Sequence, residues 1–133
     1  MYSMRKHFVT LLALTLLFSA CQETLEERCS REARDFTRKH CPMTVGNDVV
    51  MDSMTFDAAT HTISYLYTLS GALDDAGRIN NSNSRELLLQ DVRNSTQLKL
   101  YKEAEYNFRY VYYSQQKKGT KLFEATFRKE DYR

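Results

Sequence analysis

The apolar positions of this chain change their period several times, and each change predicts an element. Residues 8–18 (FVTLLALTLLF) form a nearly continuous apolar run. It is shorter than the about 20 apolar residues that a membrane-spanning helix needs. Beyond it, Leu25, Cys29, Ala33, Phe36 and His40 recur at helical spacing, one stripe of an amphipathic helix. Thr24 and Glu27 form a capping box in front of it. Glu27 precedes Arg31, and Asp35 precedes Lys39, each in the favourable i,i+4 order. Cys41-Pro42 ends the helix, because a residue before proline avoids the helical region. The spacing therefore predicts a helix over about Leu25–His40.

The period then shortens to two. Residues 48–56 (DVVMDSMTF) read as a strand, and Asp57–Thr60 is hairpin-sized. In the next strand Ile63, Tyr65, Tyr67 and Leu69 alternate with Thr62, Ser64, Leu66, Thr68 and Ser70, a half-buried pattern with a hydroxyl-rich outer face. Residues 74–84 (DDAGRINNSNS) read as the main loop. A second helix follows, capped by Asn83 with Glu86 three residues on, and Leu88, Leu89 and Val92 give it a narrow apolar face. Residues 106–115 are a strand with Tyr106, Phe108, Tyr110 and Tyr112 on one face and Asn107, Arg109, Val111 and Tyr113 on the other. A turn over Gln116–Gly119 leads into a last strand, KLFEATF, and its lysines discourage edge pairing. The order α-β-β-α-β-β makes this an α+β chain, with a four-stranded antiparallel sheet and helices packed on one face as the expected architecture.

Composition changes the picture at the N-terminus. Arg5 and Lys6 precede the apolar run, Ser19 and Ala20 follow it, and the first acid is Glu23. That is the layout of a secretory signal peptide. Leu17-Phe18-Ser19-Ala20-Cys21 resembles a bacterial lipobox, with Phe18 where leucine is usual. The expected organisation is a leader over residues 1–20 and one domain over 21–133, tethered by acyl chains on Cys21. Two or more chains anchor stably, whereas one gives only marginal membrane binding. The whole chain carries 19 basic and 17 acidic residues. Losing Arg5 and Lys6 with the leader leaves 17 of each, and a neutral domain lacks the basic face a nucleic-acid binder needs.

Few residues invite catalysis. Ser53, His61 and Asp57 supply the residue types of a hydrolytic triad, but no strained nucleophile turn accompanies them. Cys29, His40 and Cys41 lack the paired spacing of a zinc site, so no metal or cofactor is expected. Twelve residues of continuous helix would set the two thiols roughly 18 Å apart. A disulfide needs Cα atoms within about 7 Å, so both are expected free and packed in the core. The acids of residues 74–84 do not alternate as a calcium loop requires. Asp52 shares a strand face with Val50, Met54 and Phe56, and Arg109 is its candidate partner in a cross-strand ion pair. Eight tyrosines and no tryptophan remain after the leader. Tyr106, Tyr110, Tyr112 and Tyr113 are either an aromatic ladder under the helices or a ligand surface, since tyrosine suits both.

Several stretches taken in order carry a resemblance. They are His40-Cys41-Pro42-Met43, Met51 to Asp57 (MDSMTFD), Tyr65 to Leu69 (YLYTL), Leu100 to Ala104 (LYKEA) and Phe108 to Tyr112 (FRYVY). They resemble a family of small lipoproteins of unknown function found in Bacteroidota, which brings no established activity. The resemblance implies two local features. Gln22-Glu23 is similar to the acidic signal that sends such lipoproteins to the cell surface, and Asp52-Ser53-Met54 matches an O-glycosylation pattern centred on Ser53. The expected protein is a non-catalytic, outer-membrane-anchored envelope protein, periplasmic or surface-facing. Its partners would be the membrane and another envelope protein. An enzyme using Asp52 or a cysteine, and a purely structural envelope component, are the alternatives.

Overall fold

The structure, a computed structural model, describes residues 22–133; the expected leader over residues 1–20 and the expected lipid site Cys21 lie outside them. Helix α1 (Leu25–His40) starts and stops where the pattern predicts. The Thr24 hydroxyl accepts from the Glu27 N–H at 3.1 Å, and Glu27 Oε2 accepts from the Thr24 N–H at 3.2 Å. Arg38, Lys39 and His40 occupy its last turn, where cations oppose the helix dipole. Its stripe buries Cys29 and Ala33.

Five strands form one sheet in chain order. They are β1 (Met43–Gly46), β2 (Val49–Asp57), β3 (Thr62–Leu69), β4 (Asn107–Ser114) and β5 (Lys121–Phe127). This corrects the four-stranded antiparallel expectation in two ways. The additional strand β1 is short and pairs antiparallel with only the start of β2, ending at Met43 opposite Met51. Past that point β2 has a bare edge, and α1 covers it. Thr37 Oγ1 accepts from the Met54 N–H and donates to the Met54 carbonyl, both at 2.9 Å, standing in for a missing strand.

The second correction is at the centre of the sheet, where β3 and β4 run parallel. The segment between them is a crossover, too long for a hairpin, and a crossover returns the chain in the same direction. It contains a 3₁₀ turn (Gly71–Leu73), α2 (Ala76–Asn81), α3 (Ser84–Asn94) and α4 (Lys99–Glu103). A final turn, α5 (Lys129–Tyr132), closes the chain. Thus the predicted loop holds a helix, capped by Asp75, whose carboxylate accepts from the Arg78 N–H at 3.1 Å. Asn83 precedes α3 as predicted, yet its side chain makes no capping bond.

Parallel pairing in register sets Ile63 beside Phe108, Tyr65 beside Tyr110 and Tyr67 beside Tyr112. The rings stack at 4.9 Å for Tyr65–Tyr110 and 4.7 Å for Tyr67–Tyr112. Aromatic pairs at such spacing contribute about 0.5–1.5 kcal/mol beyond burial. Cys29 of α1, Val92 of α3, Tyr101 of α4 and Tyr132 of α5 pack on this one face. On the other face Val111 and Ser64 are buried among neighbouring side chains. Arg109 and Lys121 both pair there with Glu124.

Candidate functional site

The helix-covered face ends in an apolar cavity of about 300 Å³. Val49 at the start of β2, Leu69 at the end of β3 and Tyr112 near the end of β4 form its floor. Leu73, Ile79, Leu87 and Leu88 come from the crossover, and Arg78, Ser82 and Ser84 complete the wall. Leu87 is 57% exposed, high for a leucine beside other apolar side chains.

Local polar bonds hold this wall in place. The Ser70 N–H donates to the Asp48 carbonyl at 3.0 Å, and the Gln115 N–H donates to the Leu69 carbonyl at 3.0 Å. Gly71 has φ +55°, and a Cβ there would meet Asp48 Oδ2 at 2.8 Å, so only glycine lets the 3₁₀ turn lie so close. Asp74 Oδ2 accepts from the Gln116 N–H at 2.9 Å. Bonds from Ser114 and from the Gln116 N–H hold the Asp74 carboxyl below its usual range. Asn80 donates to the Leu122 carbonyl at 3.0 Å, tying α2 to β5. The Ser82 and Ser84 hydroxyls both reach the Ile79 carbonyl, at 2.7 and 3.1 Å.

The structure scatters the residues that the sequence singles out. Tyr106 and Tyr110 are 3% and 8% exposed, so they are core and not ligand surface. Burial pushes the phenols of Tyr65, Tyr67, Tyr110 and Tyr112 upward, which keeps them neutral. Tyr112 is half-buried and lines the cavity. Tyr113 looks the other way, into a shallow hollow with Leu66, Thr68 and Ser114. The Asp52–Arg109 pair does not form. Asp52 sits at the bulge between Met51 and Ser53 and accepts from the Thr68 hydroxyl at 2.7 Å, while Arg109 binds Glu124 at 2.5 Å. The bulge takes Asp52 out of the Met54 and Phe56 register and sets it on the helix-free face beside Thr68; Arg109 shares that face but lies level with Ser64, four residues along β3 from Thr68.

The hydrolytic residues do not converge. His61 Nε2 lies 2.6 Å from Glu26 and its ring stacks on Tyr106 at 5.0 Å. Asp57 accepts from the Ala59 N–H and the Thr60 hydroxyl. Ser53 pairs with Leu66, five residues from His61 and so roughly 16 Å along the strand. Both described thiols are free. Burial pushes the Cys29 thiol up to about 12. Cys41, half-buried and so not the core residue expected, is raised by desolvation and by Asp52. Neither has the electropositive setting that makes a thiolate. Among the described residues no His, Cys, Asp and Glu gather as a metal site.

Sequence reasoning missed the cavity because Arg78, Ile79, Ser82 and Ser84 lie in the stretch 74–84 that reads as loop. The available signal was Asp75 before Ala76, an N-cap pattern, with an isoleucine one turn on.

Comparison with known structures then defines the fold. It is shared with a Pseudomonas aeruginosa protein proposed to be secreted, at a TM-score of 0.65 and 14% identity, covering 84% of this chain and all of that one. It is shared too with the pilotin EpsS of the Vibrio vulnificus type 2 secretion system, at 0.58 and 9%, covering 82% and 92% of the two chains. The type II secretion system pilotin AspS of Vibrio cholerae matches at 0.54 and 12%, covering 80% and 91%. Residues 24–123 match the family described as Domain of unknown function (DUF8479), and the chain belongs to that family. No curated protein matches it.

Proposed function

We propose that this chain is a non-catalytic accessory protein of the bacterial cell envelope that works by binding through the cavity beside Tyr112. The observation that carries this reading is the lining. It is mostly aliphatic, with the Tyr112 ring, one cation, two serines and no acid or thiol, a surface suited to holding an apolar group. The pilotins that share the fold belong to type II secretion systems, which supports an accessory role. The chain is exported, cleaved before Cys21 and held by acyl chains at the outer membrane. Another envelope protein is its partner, and nucleic acid is not. Ser53, half-buried on the helix-free face, is its candidate O-glycosylation site.

The fold gives that tether a direction. Cys21 precedes α1 by three residues, and the start of α1 lies against His61 at the β2–β3 hairpin through Glu26. The cavity is at the opposite end of the same strands, near Val49, Leu69 and Tyr112. Sixteen helical residues separate the ends by about 24 Å. A membrane at Cys21 would leave the cavity facing the aqueous side. The test is the intact mass of the native protein extracted from its own membranes. A mass of residues 21–133 plus acyl chains is expected, with loss of membrane association in Cys21→Ser. A soluble, unacylated form cut elsewhere overturns the tether.

A further inference from the structure

The cavity is more selective than an apolar patch, because one cation sits among its lining side chains and no acid does. Arg78 is exposed and takes part in none of the ion pairs found among the described residues. Other arginines of the fold are engaged: Arg31 with Glu23, Arg109 with Glu124, and Arg85 over the Phe127 ring. Ser82 and Ser84 follow Arg78 along the same wall, but their hydroxyl protons go to the Ile79 carbonyl, which leaves Arg78 as the free donor. Below them lie Val49, Leu69, Leu73 and Ile79, which offer an occupant no hydrogen-bonding side chain. An occupant without polar groups along its length costs nothing there.

Size decides between a peptide helix and a narrower chain. A helix with its side chains is about 10–12 Å wide, so one turn fills roughly 400–600 Å³. The cavity holds about 300 Å³, the lower bound for small-ligand pockets. A helix could insert one or two side chains and no backbone. An unbranched alkyl chain fits whole.

We infer that the cavity is a binding site for a linear aliphatic carboxylate, its chain lying between Leu69, Leu73, Ile79 and Leu88 and its head group at Arg78. This rests on the reading that the protein acts by binding and names the class of ligand. The bound chain covers Leu87, which is otherwise exposed. Its carboxylate gives Arg78 the charge-assisted partner that the protein itself does not supply.

The test titrates the Cys21→Ser chain, exported and purified without detergent, with dodecanoate by calorimetry below the micelle concentration of the probe. Saturable one-to-one binding is expected. Arg78→Gln should weaken it by about tenfold or more, the effect of losing one charge-assisted contact. Leu73→Trp, which fills the cavity and leaves Arg78 in place, should abolish it, with circular dichroism confirming that both variants are folded. Dodecyltrimethylammonium, with the same chain and the opposite charge, should bind the parent chain no better than dodecanoate binds Arg78→Gln. Equal affinity for the two amphiphiles, or no effect of Arg78→Gln, overturns the head-group assignment. No dodecanoate binding, or binding only of an apolar acidic peptide, overturns the ligand class. Binding of an apolar acidic peptide that Leu73→Trp abolishes overturns the ligand class and keeps the binding reading, whereas a parent chain that binds neither probe loses both; the membrane-mass result on Cys21 tests the tether alone.

Discussion

The two ends of the β3–β4 pair have the same strands, the same parallel register and the same kind of side chain, yet one is sealed and the other is hollow. At the sealed end Ile63, Phe108 and Phe127 have no exposure. Tyr106 stacks on Phe56 at 5.5 Å, and Tyr132 meets Phe108 edge-on at 5.5 Å. The polar tips are satisfied as well: Tyr132 donates to the Tyr106 carbonyl at 2.8 Å and Tyr101 to Glu32 at 2.5 Å. At the hollow end the cover is residues 70–84, rich in Gly, Ala, Asp, Asn and Ser. Side chains of that size hydrogen-bond the backbone well and fill space badly. The ladder extends to both ends; what differs is the bulk laid over it.

Core truncation should therefore hurt most at the sealed end. Phe108→Ala removes a fully buried ring and should cost about 3–5 kcal/mol of unfolding free energy, read from urea titration. Leu69→Ala, 3% exposed but beside the cavity, should cost about 2 kcal/mol, the low end for such a change. Equal losses would mean that the two ends are packed alike. Tyr101→Phe leaves the Glu32 carboxylate short of one donor in a half-buried setting and should cost about 1–2 kcal/mol. At the other end, Leu73→Phe should fill space and raise stability by roughly 0.5–1 kcal/mol. A loss there would show that the cavity wall is already rigid and full.

Thiol chemistry sharpens the same contrast without altering the core. Cys29 lies in the sealed region and its thiol is pushed up to about 12 by burial. Cys41, half-buried at the far end of α1, is raised less far and is reachable. At pH 8 a maleimide should modify Cys41 slowly in the native Cys21→Ser chain, and Cys29 only as the chain unfolds. Peptide mass mapping distinguishes them. Rapid native labelling of Cys29 would mean that the sealed end opens.

How much of this could be read from sequence follows the same division. The sealed region was legible: α1 came out at Leu25–His40, β5 at Lys121–Phe127, and the alternation of Ile63, Tyr65, Tyr67 and Leu69 gave the correct inner face. Those elements are long and strongly periodic, so burial and local preference agree. Strand direction was not legible. Two hairpins around a helix read equally as antiparallel or as a parallel pair, and only the length of the crossover decides. The bulge at Met51/Ser53 put Asp52 on the opposite face from Met54 and Phe56, which no periodicity count could see, and the register sets it at Thr68, four residues along the sheet from the level of Arg109. The cavity was hidden for a related reason. Its wall is built from turns and a six-residue helix whose stability is polar and local, and such stretches share their composition with loops.

The smallest expected effect concerns that wall. Asp74 holds the 3₁₀ turn against the β4–β5 connection, accepting from the Gln116 N–H at 2.9 Å. Bonds from Ser114 and then Gln116 depress its carboxyl below the ordinary value of 3.8. A group depressed by folding stabilises the native state above its unfolded pKa, and that contribution is lost as pH falls through the lower, folded value. Asp74 is half-buried at the edge of the fold, so its effect should be local rather than global. Amide exchange at Gln116 and Leu73 should be faster in Asp74→Asn than in the parent chain at pH 6, and the difference should shrink as pH falls below the ordinary value of 3.8. Subtracting the variant removes the parallel contributions of Glu32, Glu105 and Glu124, which are depressed in the same direction elsewhere. If the exchange difference did not shrink as the pH fell, the carboxylate charge would not be what clamps the wall. If it were absent at pH 6, the cavity would be shaped by the backbone bonds of Ser70 and Gln115 alone.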